Sequence, residues 1–199
     1  MSISSEQSKA IPEPKFFHLA LTGEAGLLLL AWGLARWLQV SPGEYLRLTP
    51  VAVLWGLVAT APLVLVLAWM LTSTAAPVRS LVDQVTEQIG PLVSRCTLLE
   101  LGCLAAVAGI SEEVLFRGVI QPGLEAWMPE AGALLVASVL FGLVHAASRV
   151  YALFASAMGL YLGALFVLQD NLIPPILTHG LYDFVALSAV ATRHRNRQG

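Results

Sequence analysis

The chain has 199 residues, 57% of them hydrophobic and only 12% charged, with a mean hydropathy of +0.75. A soluble globular domain carries about 25% charged residues, so the composition excludes that class. The net charge of −2 comes with no basic groove or RNA motif, and no nucleic-acid partner is expected.

Residues 1–15 are polar, with Lys9, Lys15 and two prolines. They are expected to form a disordered tail, and no cleavable signal peptide is read in them. Apolar runs of about 20 residues then recur, predicting an all-α, polytopic transmembrane helix bundle of about six spans. The first span is 16–38, interrupted by Glu24, and the second is 51–71, after a turn at Ser41-Pro42-Gly43. Over 77–95, Val78, Leu81, Val82, Val85 and Ile89 recur at helical spacing between charged and amide residues, which predicts an amphipathic helix at the interface. The third span is 96–119, followed by a stretch with Pro122, Gly123 and Pro129. The fourth is 131–147, the fifth 150–168 and the sixth 172–191, the last interrupted by Pro174-Pro175. A basic tail, 193–199, closes the chain. Residues 16–192 read as a single domain without internal repeats.

Two cysteines, Cys96 and Cys103, lie seven residues apart on one predicted helix. Their Cα atoms would be about 10 Å apart, too far for a disulfide. Gly159 and Gly163 form a small-xxx-small pair, suited to close helix packing. The positive-inside rule puts both termini in the cytoplasm, with Lys9, Lys15, Arg79, Arg95, Arg149, Arg193, Arg195 and Arg197, and leaves Arg36 and Arg47 outside.

Against this apolar background, Glu112, Glu113, Arg117, His145, His179 and Asp183 fall inside predicted spans. Hydrocarbon penalises such groups by roughly 2.5–3.5 kcal/mol each at mid-span for Asp or Arg, so they mark a functional site by default. Glu113 and Arg117 are four apart and share a helix face, where they can pair. Glu112 points about 100° away, is left without a partner in its own helix, and suits a general base. Phe141 and His145, and His179 and Asp183, repeat the spacing of four on two other spans. Two imidazoles and two acids converging from three helices could hold zinc or another divalent metal. They could equally work without metal, Glu112 and one histidine activating water while the other histidine and its neighbour stabilise an oxyanion. Either arrangement hydrolyses an amide. On straight spans counted by helical rise alone, His145 comes out about 10 Å deeper than His179.

Glu112-Glu113-Val114-Leu115-Phe116-Arg117, Phe141-Gly142-Leu143-Val144-His145 and His179-Gly180-Leu181-Tyr182-Asp183, in this order on separate apolar segments, resemble the motifs of the CAAX-protease and bacteriocin-processing (CPBP, or Abi) family. The resemblance covers about residues 95–190. It implies a glutamate-dependent intramembrane metalloendopeptidase acting on a membrane-associated peptide or protein. Glu112 would activate water with help from His145. His179 and Asp183 would bind metal or stabilise the transition state, and Glu113, Arg117 and Phe141 would support them. The family pattern allows Asp or Asn at the last position, but an Asp there has to be protonated to donate to an oxyanion. Relatives of this kind, and the arginine-rich ending, point to a bacterial inner (plasma) membrane.

Two other classes share part of this pattern. An ion-coupled transporter also buries Glu, His and Asp, but carriers usually show repeat symmetry and paired broken helices. A non-catalytic immunity or scaffold membrane protein would not need every polar position filled with a competent side chain, as here. Neither the substrate nor the oligomeric state is legible in the residues.

Overall fold

A computed structural model describes residues 13–199, with side chains from Phe16 onward. Of the tail expected over 1–15, residues 1–12 lie outside the described part of the chain. All regular structure among the described residues is helical. The long helices are α1 (Glu13–Leu38), α2 (Pro50–Thr72), α3 (Ala76–Val93), α4 (Leu98–Leu115), α6 (Glu130–Val144), α7 (Arg149–Gln169) and α8 (Ile173–Gln198). Helix α4 runs on through a π-helical turn, Phe116–Ile120, into the single turn α5 (Gln121–Leu124).

Local chemistry sets the ends of these helices. Thr49 accepts the Ala52 N–H at 3.1 Å ahead of Pro50, starting α2. Thr97 and Glu100 form a reciprocal capping box for α4. Ser148 accepts the Tyr151 N–H at 3.2 Å and starts α7, which ends at Asp170 in the left-handed region (φ 45°). Pro174 and Pro175 do not interrupt a span as the sequence suggested. They occupy the first turn of α8, where a missing N–H costs no hydrogen bond.

Helix α8 is the axis of the bundle. It packs on α2, α3, α4 and α7, while α1 covers α4 and α6 pairs with α7 as a hairpin. The α4–α8 crossing is closed by two glycines. A Cβ on Gly109 would stand 2.8 Å from the Gly180 nitrogen and 3.0 Å from its Cα, so backbone meets backbone, in the manner of small-residue membrane contacts. This crossing lies three residues from Glu112 and one from His179. In the α6–α7 hairpin Gly142 plays the same part: a Cβ there would run into Ser156 Oγ and the Ala152 carbonyl.

Among the described residues, four helices are long and apolar enough to cross a membrane: Phe16–Leu38, Pro50–Thr72, Arg149–Gln169 and Ile173–Gln198. The other two expected spans take different forms. Leu98–Leu124 meets α3 at a 114° bend, the pair forming a broken span or re-entrant element, and α6 has only 15 residues. The outer surface is apolar, with Leu29, Leu65 and Leu153 each at least 70% exposed, whereas Glu113, Arg117, Gln121 and Thr178 are buried. Such an inverted distribution matches a protein solvated by lipid.

The expected amphipathic helix is α3, which buries Leu81, Val82, Thr86, Gly90 and Val93. Its Asp83 pairs with Arg193 at 3.2 Å and with Arg197. The basic residues after 192 are thus the last turns of α8, docked on α3.

Substituting Gly109→Ala should push α4 from α8 and cost about 1–3 kcal/mol, as overpacking does in a filled interior. A lowered thermal midpoint in detergent, relative to Gly33→Ala at a position whose Cβ would meet nothing within 4 Å, checks this.

Candidate active site

The polar groups of α4, α6 and α8 meet at one end of a cavity of about 250 Å³. Glu112, Phe141, His145, His179 and Asp183 line that end together with Tyr151 and Tyr182; apolar side chains of α2, α3, α7 and α8 line the rest.

Helix geometry sends the two adjacent acids to different places. Glu113 is fully buried and binds Arg117 one turn on, Nη1 to Oε1 at 2.6 Å. Arg117, 1% exposed, donates a second hydrogen bond to the Gly159 carbonyl of α7 at 2.9 Å. Its guanidinium also stacks over the Phe141 ring, 4.6 Å from the centroid. The same Glu113 oxygen meets His179 Nδ1 at 2.8 Å. One carboxylate therefore satisfies a cation from its own helix and an imidazole from α8.

Glu112 faces the cavity. Its Oε2 lies 3.4 Å from His145 Nε2 and 4.0 Å from His179 Nε2, and is a buried oxygen without a hydrogen-bond partner among the described residues. His145 terminates α6, and its Nδ1 lies 2.8 Å from the Phe141 carbonyl oxygen. A carbonyl only accepts, so Nδ1 carries the proton. The ring is stacked on Phe141 with centroids 4.5 Å apart. On α8, Asp183 Oδ2 is 3.4 Å from His179 Nε2.

The structure thus brings together all the residues singled out from the sequence: Glu112, His145, His179 and Asp183 around one space, with Glu113, Arg117 and Phe141 behind them. The 10 Å offset in depth expected for straight spans is absent. Helix α6 stops at Val144, so His145 sits at a helix end, and α4 is not a full-length straight span. Glu24 of α1 was noted only as an interruption of the first span. It accepts a hydrogen bond from Ser111 Oγ, next to Glu112 in sequence; an acid inside an apolar span was the signal for it. Tyr151 and Tyr182 carried no sequence signal.

The donor types at the site, imidazole nitrogen and carboxylate oxygen, are those that bind zinc. Their arrangement does not fit a metal: among the described residues no group of three or more His, Cys, Asp or Glu side chains stands in a metal-holding geometry. Nδ1 of each histidine is held, by the Phe141 carbonyl and by Glu113, which leaves Nε2 of each facing the cavity. Cys96 and Cys103 form no disulfide.

Residues 94–185 match the family model described as type II CAAX prenyl endopeptidase Rce1-like. No curated protein and no solved structure matches the chain.

Breaking a buried ion pair from one side strands a charge and costs about 3–5 kcal/mol. Arg117→Ala should therefore lower the thermal midpoint sharply. Pairing it with Glu113→Gln should recover much of the loss, which a double-mutant cycle in detergent measures.

Proposed function

Residues 94–185 of this chain belong to the type II CAAX prenyl endopeptidase family of intramembrane proteases, and on that premise we propose that the protein hydrolyses a peptide bond of a membrane-associated peptide or protein, with Glu112 as the base. The observation that carries this reading is the unpartnered Glu112 oxygen facing His145 Nε2 across 3.4 Å at the polar end of an apolar cavity.

Proton counting supports the assignment. With Nδ1–H donated to Phe141, His145 Nε2 is an acceptor, and so is the Glu112 carboxylate. Two acceptors side by side are satisfied by one water molecule that gives a proton to each. Its oxygen lone pairs then face the cavity and the scissile carbonyl carbon. Glu112 takes one water proton as the oxygen–carbon bond forms. The carbonyl oxygen gains negative charge, and the proton held by Glu112 passes to the leaving amine nitrogen as the carbon–nitrogen bond breaks. Both nitrogens of His179 face carboxylates, Glu113 on one side and Asp183 on the other. A ring carrying a proton on each nitrogen satisfies both, and places positive charge beside the developing oxyanion.

Arg117 and Glu113 hold this ring in orientation without entering the cavity. The apolar walls suit a substrate with apolar side chains or a lipid substituent next to the cleaved bond, held where water is scarce. We further place the protein in a bacterial inner membrane with both termini cytoplasmic, on the distribution of its arginines. This reading uses no metal, because the donors form no metal-holding cluster.

Glu112→Gln should lower the cleavage rate of a membrane-proximal peptide by about 10²–10⁴-fold while leaving the thermal midpoint close to that of the parent. Undiminished cleavage by this variant would refute the assignment. Activity should survive dialysis against a chelator; loss on dialysis, restored by added zinc, would move these residues into a metal centre. Proteoliposome flux that depends on Glu112, without cleavage, would identify a carrier instead.

A further inference from the structure

Hydrolysis of an amide builds negative charge on the carbonyl oxygen, and a site poor in water needs a hydrogen-bond donor aimed at it. The polar end of the cavity is short of donors. The Glu112 and Asp183 carboxylates accept only. Arg117 is buried against Phe141 and does not line the cavity, its Nη1 bound to Glu113 and its Nη2 to Gly159. His145 donates to Phe141, and His179 is flanked by Glu113 and Asp183. The remaining polar groups lining the cavity are the phenols of Tyr151 and Tyr182.

These two tyrosines differ from Tyr161, whose hydroxyl donates to the Ala59 carbonyl at 2.8 Å. Neither the Tyr151 nor the Tyr182 hydroxyl has a hydrogen-bond partner among the described residues, although both line the cavity. Tyr182 packs in the apolar cluster of Met158 and Leu162, whereas Tyr151 lines the cavity from the first turn of α7. Tyr151 thus shares with Glu112, His145 and Asp183 the cavity in which the reacting carbonyl has to lie. Its place is tied to that of His145. Tyr151 donates its N–H to Ser148 Oγ, and only Ala146 and Ala147 separate Ser148 from His145.

We propose that Tyr151 is a further catalytic residue, whose phenolic O–H donates to the carbonyl oxyanion in place of the donor that the Asp183 carboxylate is unable to supply. A phenol donates while remaining neutral, so it adds no charge to the lipid-embedded pocket. The proposal rests on the hydrolase reading above and deepens it.

The experiment is a steady-state comparison of four proteins on one fluorogenic membrane-proximal peptide: parent, Tyr151→Phe, Asp183→Asn and the double variant, with Glu112→Gln as control. Tyr151→Phe keeps the ring and its packing. It should lower kcat on the order of 10²-fold, with KM within about twofold, because the bond strengthens only in the transition state. In the Asp183→Asn background, where an amide N–H becomes available, the same change should cost less than about tenfold, the non-additivity expected of groups serving one atom. Unchanged kcat in Tyr151→Phe, a loss confined to KM, or an equal loss in both backgrounds would overturn the proposal while the hydrolase reading stood. Cleavage by the parent no faster than by Glu112→Gln would sink both.

Discussion

The buried Glu113 carboxylate is the group on which the rest of the site depends. It is fully enclosed, in an environment that penalises ions heavily, and it survives there because Arg117 and His179 both bind it. These contacts join α4 to α8, and through Arg117 to the Gly159 carbonyl of α7 and the face of Phe141 on α6. A single buried acid thus ties four helices together. Held at Nδ1 by Glu113, His179 presents its Nε2 to Glu112 and Asp183 at the cavity.

Close backbone packing makes this network possible. Glu113 reaches an imidazole on another helix only because Gly109 and Gly180 let α4 and α8 meet without side chains between them. Likewise the α6–α7 hairpin closes over Gly142, three residues before His145. In hydrocarbon there is no hydrophobic force to draw helices together, so close contact and interhelical hydrogen bonds do that work. The site and the helix crossings therefore share residues or immediate neighbours, and a substitution in one is felt in the other.

Much of this was legible in the residues alone. Spacing of four predicted the Glu113–Arg117 pair, and the 100° separation predicted that Glu112 would face elsewhere. Apolar runs marked the helices because a bilayer leaves so few alternatives for a backbone. Other features were beyond local reasoning. Nothing in the spacing says that Glu113 would also take His179, since that contact joins residues 66 apart. Counting rise along straight spans misplaced His145 in depth, because the end of α6 is set by the hairpin rather than by its hydropathy. Pro174-Pro175 reads as a break unless the start of α8 is known. Glu24 was visible but carried no partner in sequence, and Tyr151 and Tyr182 are ordinary aromatic residues until the cavity is seen.

The brevity of α6 has a consequence for the co-substrate. Fifteen residues rise about 22 Å, whereas a bilayer's hydrocarbon layer is about 30 Å thick. Lipid around so short a segment can adapt by thinning, for instance toward the turn at 145–148. A headgroup region drawn toward that turn would give bulk solvent a short route to the imidazole that ends the helix and to the polar end of the cavity. Shortening one helix by about one and a half turns would thus do the work of a dedicated hydrophilic channel.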